Sequence, residues 1–459
     1  MVQKISLLLL LSISLFSCNN DNEDDYQEID LNERLYAGGE TTIFSVTTNA
    51  YNSPAANLTG DDLDNHFTGD VLFEGSFVTA PAPINPGLGP IYNNAACINC
   101  HPRDGRARHP TNINSANGFL VRTSIPGMDA HGGPNPVPGF GLQIQNRGIS
   151  GYLPEAAYQV TYTEKTETFS DGTTVVLRKP VVTLTNPYMA LPAGMMLSPR
   201  LGTPIFGLGL LEEIPEANLL ANQDINDTNA DGISGKANYV WNPVTGMMQL
   251  GRFGWKANTA SIMAQCASAY VEDMGITNPF FQNESGFDQS NGQDGLTDDP
   301  EIPMSILNQV ALYCKTLAVP APRDIDQQNV KNGAKIFDQL ECAKCHTPKQ
   351  QTGSSSVSAL SNQTFFPYTD LLLHDMGEDL SDNRPDFLAS GTEWKTRPLW
   401  GIGLTNLVNG HTDFLHDGRA KNIEEAILWH GGEAMNAKEK YKKLSAKQRS
   451  DLLAFVNSL

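Results

Sequence analysis

The pentapeptide Cys97-Ile98-Asn99-Cys100-His101 recurs as Cys342-Ala343-Lys344-Cys345-His346, and no other feature narrows the possible folds so much. C-x-x-C-H is the attachment signature of c-type haem. Two thiols add across the porphyrin vinyl groups, and the adjacent His is placed under the iron as proximal axial ligand. A zinc site is the competing reading, but no further CxxC lies near either copy to complete a four-cysteine shell. The two copies predict two covalently bound haem c groups. Cys97, Cys100, Cys342 and Cys345 are the attachment residues, and His101 and His346 the proximal ligands.

Haem c is attached outside the cytoplasm, and the N-terminus agrees. Residues 1–17 read as a lipoprotein signal peptide: Lys4, then an apolar run from Ile5 to Phe16 too short to span a bilayer. Ser17-Cys18 resembles the lipoprotein cleavage box, which makes Cys18 the lipid anchor and the protein an exported lipoprotein on a periplasm-facing membrane or the cell surface. An ordinary signal peptide with an incidental Cys is the alternative. Residues 18–40 read as a flexible acidic tether. Of seven cysteines, Cys266 and Cys314 are then left over, either paired or simply buried. The net charge of −20 over 459 residues argues against nucleic acid and favours a redox donor with a basic face, such as a small cytochrome.

An internal repeat organises the chain. Gly69–Phe73 and Gly333–Phe337 share G-x-x-x-F ahead of each haem motif, and Pro204-Ile-Phe-Gly-Leu-Gly-Leu210 matches Pro398-Leu-Trp-Gly-Ile-Gly-Leu404 downstream. Each half closes on an amphipathic helix, Val310–Leu317 and Leu452–Leu459, the second opened by a Ser445/Gln448 capping box. The fold class read from this is mainly α. Two cytochrome c-like domains, 41–320 and 321–459, carry long loops at 102–157 and 276–300. A β-hairpin insertion at 158–185, turning at Ser170-Asp171-Gly172-Thr173, is expected on one side of the first domain.

Each iron then needs a ligand on its second face, or an open face, and that difference separates electron transfer from catalysis. In the second half His430 is the candidate axial ligand, with Met376 and then His416 as rivals. In the first half the aligned position falls on Ala267 or Ala269, so the His101 haem is the candidate open face. Tyr270, His109 and His131 are weaker capping candidates.

The runs GLGPIYN before Cys97, PRLGTPIFGLGLLEEIP at 199–215, LGRFGWKA at 250–257, LLLHDMG at 371–377 and HGGEA at 430–434 resemble the di-haem oxidoreductase family. That family is peroxidase-like and also labelled "thiol oxidoreductase", and the resemblance covers nearly all of the chain beyond residue 18. The plan is more remotely similar to bacterial di-haem cytochrome c peroxidases and to the di-haem enzyme that matures methylamine dehydrogenase. In those relatives W-x9-Q precedes a carboxylate close to Met-Gly, and Trp255, Gln265 and Glu272-Asp273-Met274-Gly275 match it. The resemblance implies Trp255 between the haems, with Gln265 and Glu272 or Asp273 as catalytic groups over the open iron. The peroxidases carry a single Glu about two residues further on, and Met where this chain has His430.

Asp227, Asn229, Asp231 and the carbonyl of Ile233 resemble the first half of a calcium loop, although position twelve is Asn238 rather than Glu. A plain Asx-rich turn is the alternative. The sequence thus points to an enzyme that reduces hydrogen peroxide or a related small oxidant. A non-catalytic di-haem electron carrier, and a di-haem oxidase or oxygenase acting on an organic or protein substrate, are the alternatives.

Overall fold

A computed structural model of the chain describes residues 30–110 and 118–459. Cys18, the export signal and most of the tether lie outside the described residues. The helices begin and end where local chemistry dictates. Helix Ile262–Met274 is capped by the Ser261 side chain and stopped by Gly275 at φ 68°, while Ile423–Trp429 is capped by Asn422. Ala446–Ser458 opens with the Ser445/Gln448 capping box, both of its hydrogen bonds formed.

The G-x-x-x-F repeat is explained by helix crossings. Gly69, on helix Asp61–Glu74, lies against helix Met304–Thr316 so closely that a Cβ would stand 2.3 Å from the carbonyl oxygen of Gln309. Gly333, on helix Gln328–Gln339, meets Ala446–Ser458 in the same way, 2.0 Å from the carbonyl of Asp451. One turn on, Phe73 and Phe337 bring their rings to 6.3 Å and 6.4 Å from the imidazoles of His101 and His346.

The P-x-[FW]-G-x-G-L copies face each other across the centre of the molecule. Gly207 and Gly401 adopt φ of 72° and 70°, and a Cβ on either would lie 2.5 Å from a ring carbon of Trp400 or Phe206, respectively. Their amides donate to equivalent acceptors, Gly207 to the Leu317 carbonyl and Gly401 to that of Leu459. A second reciprocal pair sits alongside: Leu201 N–H donates to His416 O at 2.7 Å, and Lys395 N–H to Trp255 O at 3.0 Å. The halves therefore meet about a pseudo-two-fold axis, as two copies in an isologous dimer would.

The expectation of a mainly α fold is corrected. Only 29% of the described residues are helical and 19% are in strands, and those strands form six small sheets. The reason is that the extra chain of the first half pairs with itself. Phe119–Met128, expected as loop, pairs antiparallel with Met196–Leu201, and Tyr239–Asn242 with Met247–Leu250. The hairpin Ala157–Thr168/Thr174–Thr185 is present in unbroken register. Its tip is not confined to one side: Ser170 N–H donates to Lys442 O, Arg449 pairs with Asp171 at 2.8 Å, and Phe169 joins the core of the second half. The hairpin straps the halves together.

The helix crossings predict that Gly69→Ala and Gly333→Ala each cost about 1–3 kcal/mol through overpacking. Denaturant unfolding checks this, and an unchanged midpoint in either variant would deny the close approach.

Candidate functional site

Two cavities open on the two C-x-x-C-H segments. The first, of about 570 Å³, is lined by Cys97, Cys100, His101, Gln265, Tyr270, Glu272, Asp273 and Trp255. The second, of about 280 Å³, is lined by Cys342, Cys345, His346, Met376, His416, His430 and again Trp255. Each proximal imidazole is held by its inner nitrogen. His101 Nδ1 lies 2.7 Å from Thr203 O and His346 Nδ1 3.0 Å from Tyr368 O, which fixes the tautomer and leaves Nε2 to be a ligand. Burial lowers both pKa values, His346 to about 4 with a further push from His430, so both rings are neutral as ligation requires. Four thiols beside two such imidazoles, each in a cavity, fit a pair of haems.

His430 is arranged like a third ligand. It closes helix Ile423–Trp429, its Nδ1 lies 2.6 Å from Ala426 O, and its ring shares the second cavity with His346. Met376 lines that cavity too. His416 stacks on Trp394 at 3.9 Å and stands edge-on to Trp255 at 6.4 Å. His374 is engaged elsewhere: Asp370 holds Nε2 at 2.8 Å and Glu433 holds Nδ1 at 2.7 Å. Although burial opposes the charge, these partners raise its pKa well above the ordinary value. It is a buried imidazolium between two carboxylates.

In the first half the equivalent helix is Ile262–Met274. Ala269 and His430 each stand eight residues beyond their N-caps, so a methyl group takes the place of the imidazole. Gln265, Ala269 and Glu272 follow at helical spacing, and all three line the first cavity. Burial raises the pKa of Glu272 and of Asp273, while Arg122, whose Nη1 is 3.4 Å from Glu272 Oε2, pulls both back down. Gln143 Nε2 donates to Asp273 Oδ1 at 2.7 Å. Tyr270 also lines the cavity, its hydroxyl buried without a partner. His131 lines it, stacked on Trp241 at 3.9 Å, whereas His109 is buried against Phe119 and does not line it. Cys266 and Cys314 are thiols on this cavity, and contact with Cys266 together with burial raises the Cys314 pKa.

The residues that sequence reasoning missed are mostly cations: Arg122 and Arg384 on the first cavity, Arg106 and Lys395 on the second, and Arg397 on both. Arg397 alone had a visible signal, since it precedes Pro398 where the other copy has Thr203 before Pro204.

The proposed calcium loop is stitched by its own backbone. Asp227 accepts from the amides of Asp231 and Gly232, Asn229 from Asp231, and Asp231 from Ile233, while Asp231 also pairs with Lys344 at 3.1 Å. Among the described residues, no group of three or more His, Cys, Asp or Glu side chains is spaced to hold a metal ion.

A family profile described as "Di-haem oxidoreductase, putative peroxidase" matches residues 32–459. The chain belongs to that family. A search of curated protein sequences finds no match. Among solved structures, a chain of Kuenenia stuttgartiensis hydrazine synthase pressurised with xenon is similar at 16% identity and a TM-score of 0.28, covering 57% of this chain and 73% of that one. A likeness at that level carries no argument.

Replacing His374 by Gln would leave buried Asp370 and half-buried Glu433 without their shared cation, at a cost on the order of 3 kcal/mol. Because the folded-state pKa of His374 is raised, its contribution is complete below the unfolded value of about 6.5 and is lost as pH rises through the folded value. Unfolding across pH should show a wild-type advantage that is level below about pH 6 and narrows in alkali. An advantage that grew with pH would contradict the imidazolium.

Proposed function

We propose that the protein is an exported di-haem c oxidoreductase of the peroxidase type, reacting at its first cavity and relaying electrons through its second. The observation that carries this reading is the substitution of one helical position. Where the second cavity has the His430 imidazole, the first has Ala269, flanked by Gln265 and Glu272. Haem held by Cys97, Cys100 and His101, and by Cys342, Cys345 and His346, would supply the iron and electrons that reduce hydrogen peroxide or a related oxidant.

The chain's own groups supply the rest. Reduction of a peroxide to water consumes two electrons and two protons, and cleaving its O–O bond requires a proton to move from the inner to the outer oxygen. Glu272 or Asp273 is suited to that transfer because burial and Arg122 act in opposite directions on its pKa. Gln265 offers an amide to orient the oxidant. Trp255 forms a wall common to both cavities, which suits passage of electrons from the His346/His430 side. An acidic protein receives those electrons best from a donor with a basic face, such as a small cytochrome. Lipidation of Cys18 would keep the protein on the membrane or cell surface where such a donor meets it.

Absorption and EPR spectra of the haem-loaded protein, oxidised and half-reduced, test this directly. One high-spin and one low-spin signal are expected, the former lost on adding stoichiometric peroxide. Two low-spin signals in every redox state, with no response to peroxide, would make the protein an electron carrier.

The double variant Glu272→Gln/Asp273→Asn should slow the peroxide reaction by about 10²–10⁴-fold. If a carboxylate takes the first proton, the wild-type rate falls as pH drops through the raised pKa, displaced above the ordinary carboxylate value near 4. Stopped-flow rates across pH check both, and a profile shared by wild type and variant would remove these residues from the reaction.

A further inference from the structure

Three cations gather where the two cavities meet, and among the described residues two of them, Lys395 and Arg397, face no carboxylate. Arg106 and Arg397 approach the Trp255 ring with guanidinium carbons 5.3 Å and 5.1 Å from its centroid. Arg106 spends its protons on the carbonyls of Asp413 and Leu415. Among the described residues Lys395, 4% exposed, finds a single acceptor, the Arg252 carbonyl at 2.7 Å, and no carboxylate. Arg397 has neither: among the described residues it makes no hydrogen bond or ion pair, only the contact with Trp255. It lines both cavities.

Removing a cation from water without a counter-charge is costly, and proteins pair or hydrogen-bond such groups. This chain carries a surplus of acids, yet among the described residues none is placed against Arg397 or Lys395. The missing anion must come with whatever fills the cavities, and haem carries two carboxylate side chains of its own. A guanidinium presents a planar fork that binds carboxylates two oxygens at a time. The repeat sets the fork apart: at the equivalent position the first half has Thr203, which carries no charge.

The geometry points to Arg397 as a shared anchor for the carboxylate side chains of both haems, with Lys395 serving only the haem over His346. This rests on the chain holding two haems and not on any peroxide chemistry. A fixed positive charge beside each porphyrin favours the reduced iron, so its removal lowers the midpoint potential of every haem it serves.

The test is a spectroelectrochemical titration of the haem-loaded protein, read as two one-electron waves. In Arg397→Met both waves should fall, each by at least tenfold in its reduction equilibrium, which is 59 mV for one electron. In Lys395→Met one wave should fall and the other stay. Arg397→Lys, which keeps the charge, should hold both waves nearer to wild type than Arg397→Met does. The inference is overturned if Arg397→Met leaves either wave in place, if Lys395→Met moves both equally, or if Arg397→Lys falls as far as the methionine variant. Should the methionine variant not load haem, the lysine pair decides: Arg397→Lys lowering both waves tenfold, or Lys395→Met moving neither, refutes it. A protein inert to peroxide would still show the two waves, so the two readings fail separately.

Discussion

The contact on which the molecule depends is the reciprocal seating of Phe206 on Gly401 and Trp400 on Gly207. Neither glycine can be exchanged without cost, for two reasons at each position. The backbone is left-handed, and the partner's ring occupies the space a Cβ would need. The backbone bonds from Leu201 to His416 and from Lys395 to Trp255 lock the same interface a few residues away. These four links draw the walls of both cavities from both halves. Trp255 belongs to the first half yet lines the second cavity, and Arg397 does the reverse. An independent half would have an incomplete cavity.

Within that near-symmetric frame the chemistry lies in the departures. The isolated bridges Phe253–Thr259 and Phe414–Ala420 bracket equivalent turns, which makes Trp255 the counterpart of His416. One ring lies in the wall between cavities, and the other is stacked on Trp394 and turned edge-on to it. Ala269 replaces His430, and Thr203 replaces Arg397. Each change alters what one cavity can hold while leaving the backbone contacts of the repeat intact. The hairpin strap adds an asymmetric fastening, and its ion pairs are partly exposed, so the burial of Phe169 in the second core contributes more than the charges do.

Much of this was legible in the residues. The repeated pentapeptide, the two G-x-x-x-F segments and the Ser445/Gln448 box are short-range signals, and each is found where the chain order puts it. Gln265, Glu272 and Asp273 share a helix and a cavity because their spacing follows the helical period. What did not come through, the short hairpin Tyr239–Asn242/Met247–Leu250 aside, is long-range. A mainly α chain was expected because strand pairing of Phe119–Met128 with Met196–Leu201 joins segments some seventy residues apart, with a separate hairpin between them. The cations at Trp255 were invisible for the same reason: Arg106, Lys395 and Arg397 converge only after both halves have docked.

The acid pair of the first cavity also shows what its position costs. Glu272 and Asp273 occupy the last turn of their helix, where the carbonyl ends of the backbone dipoles disfavour negative charge. The carbonyls there are individually satisfied, Glu272 by the amides of Gln143 and Gln145, Asp273 by the backbone of Asn93 and Asn94. Those donors quiet the helix end without neutralising the carboxyl groups, whose burial and mutual repulsion are offset chiefly by Arg122, 3.4 Å from Glu272, with the Gln143 amide also bonding Asp273. A helix stabilised for its own sake would carry a lysine there. Two acids persisting at the unfavourable end, on the wall where the second half keeps an imidazole, are a local conflict, and such conflicts concentrate at functional sites. The helix is stabilised elsewhere, by the Ser261 cap at one end and the Gly275 stop at the other, which lets its last turn be arranged for protons instead of for stability.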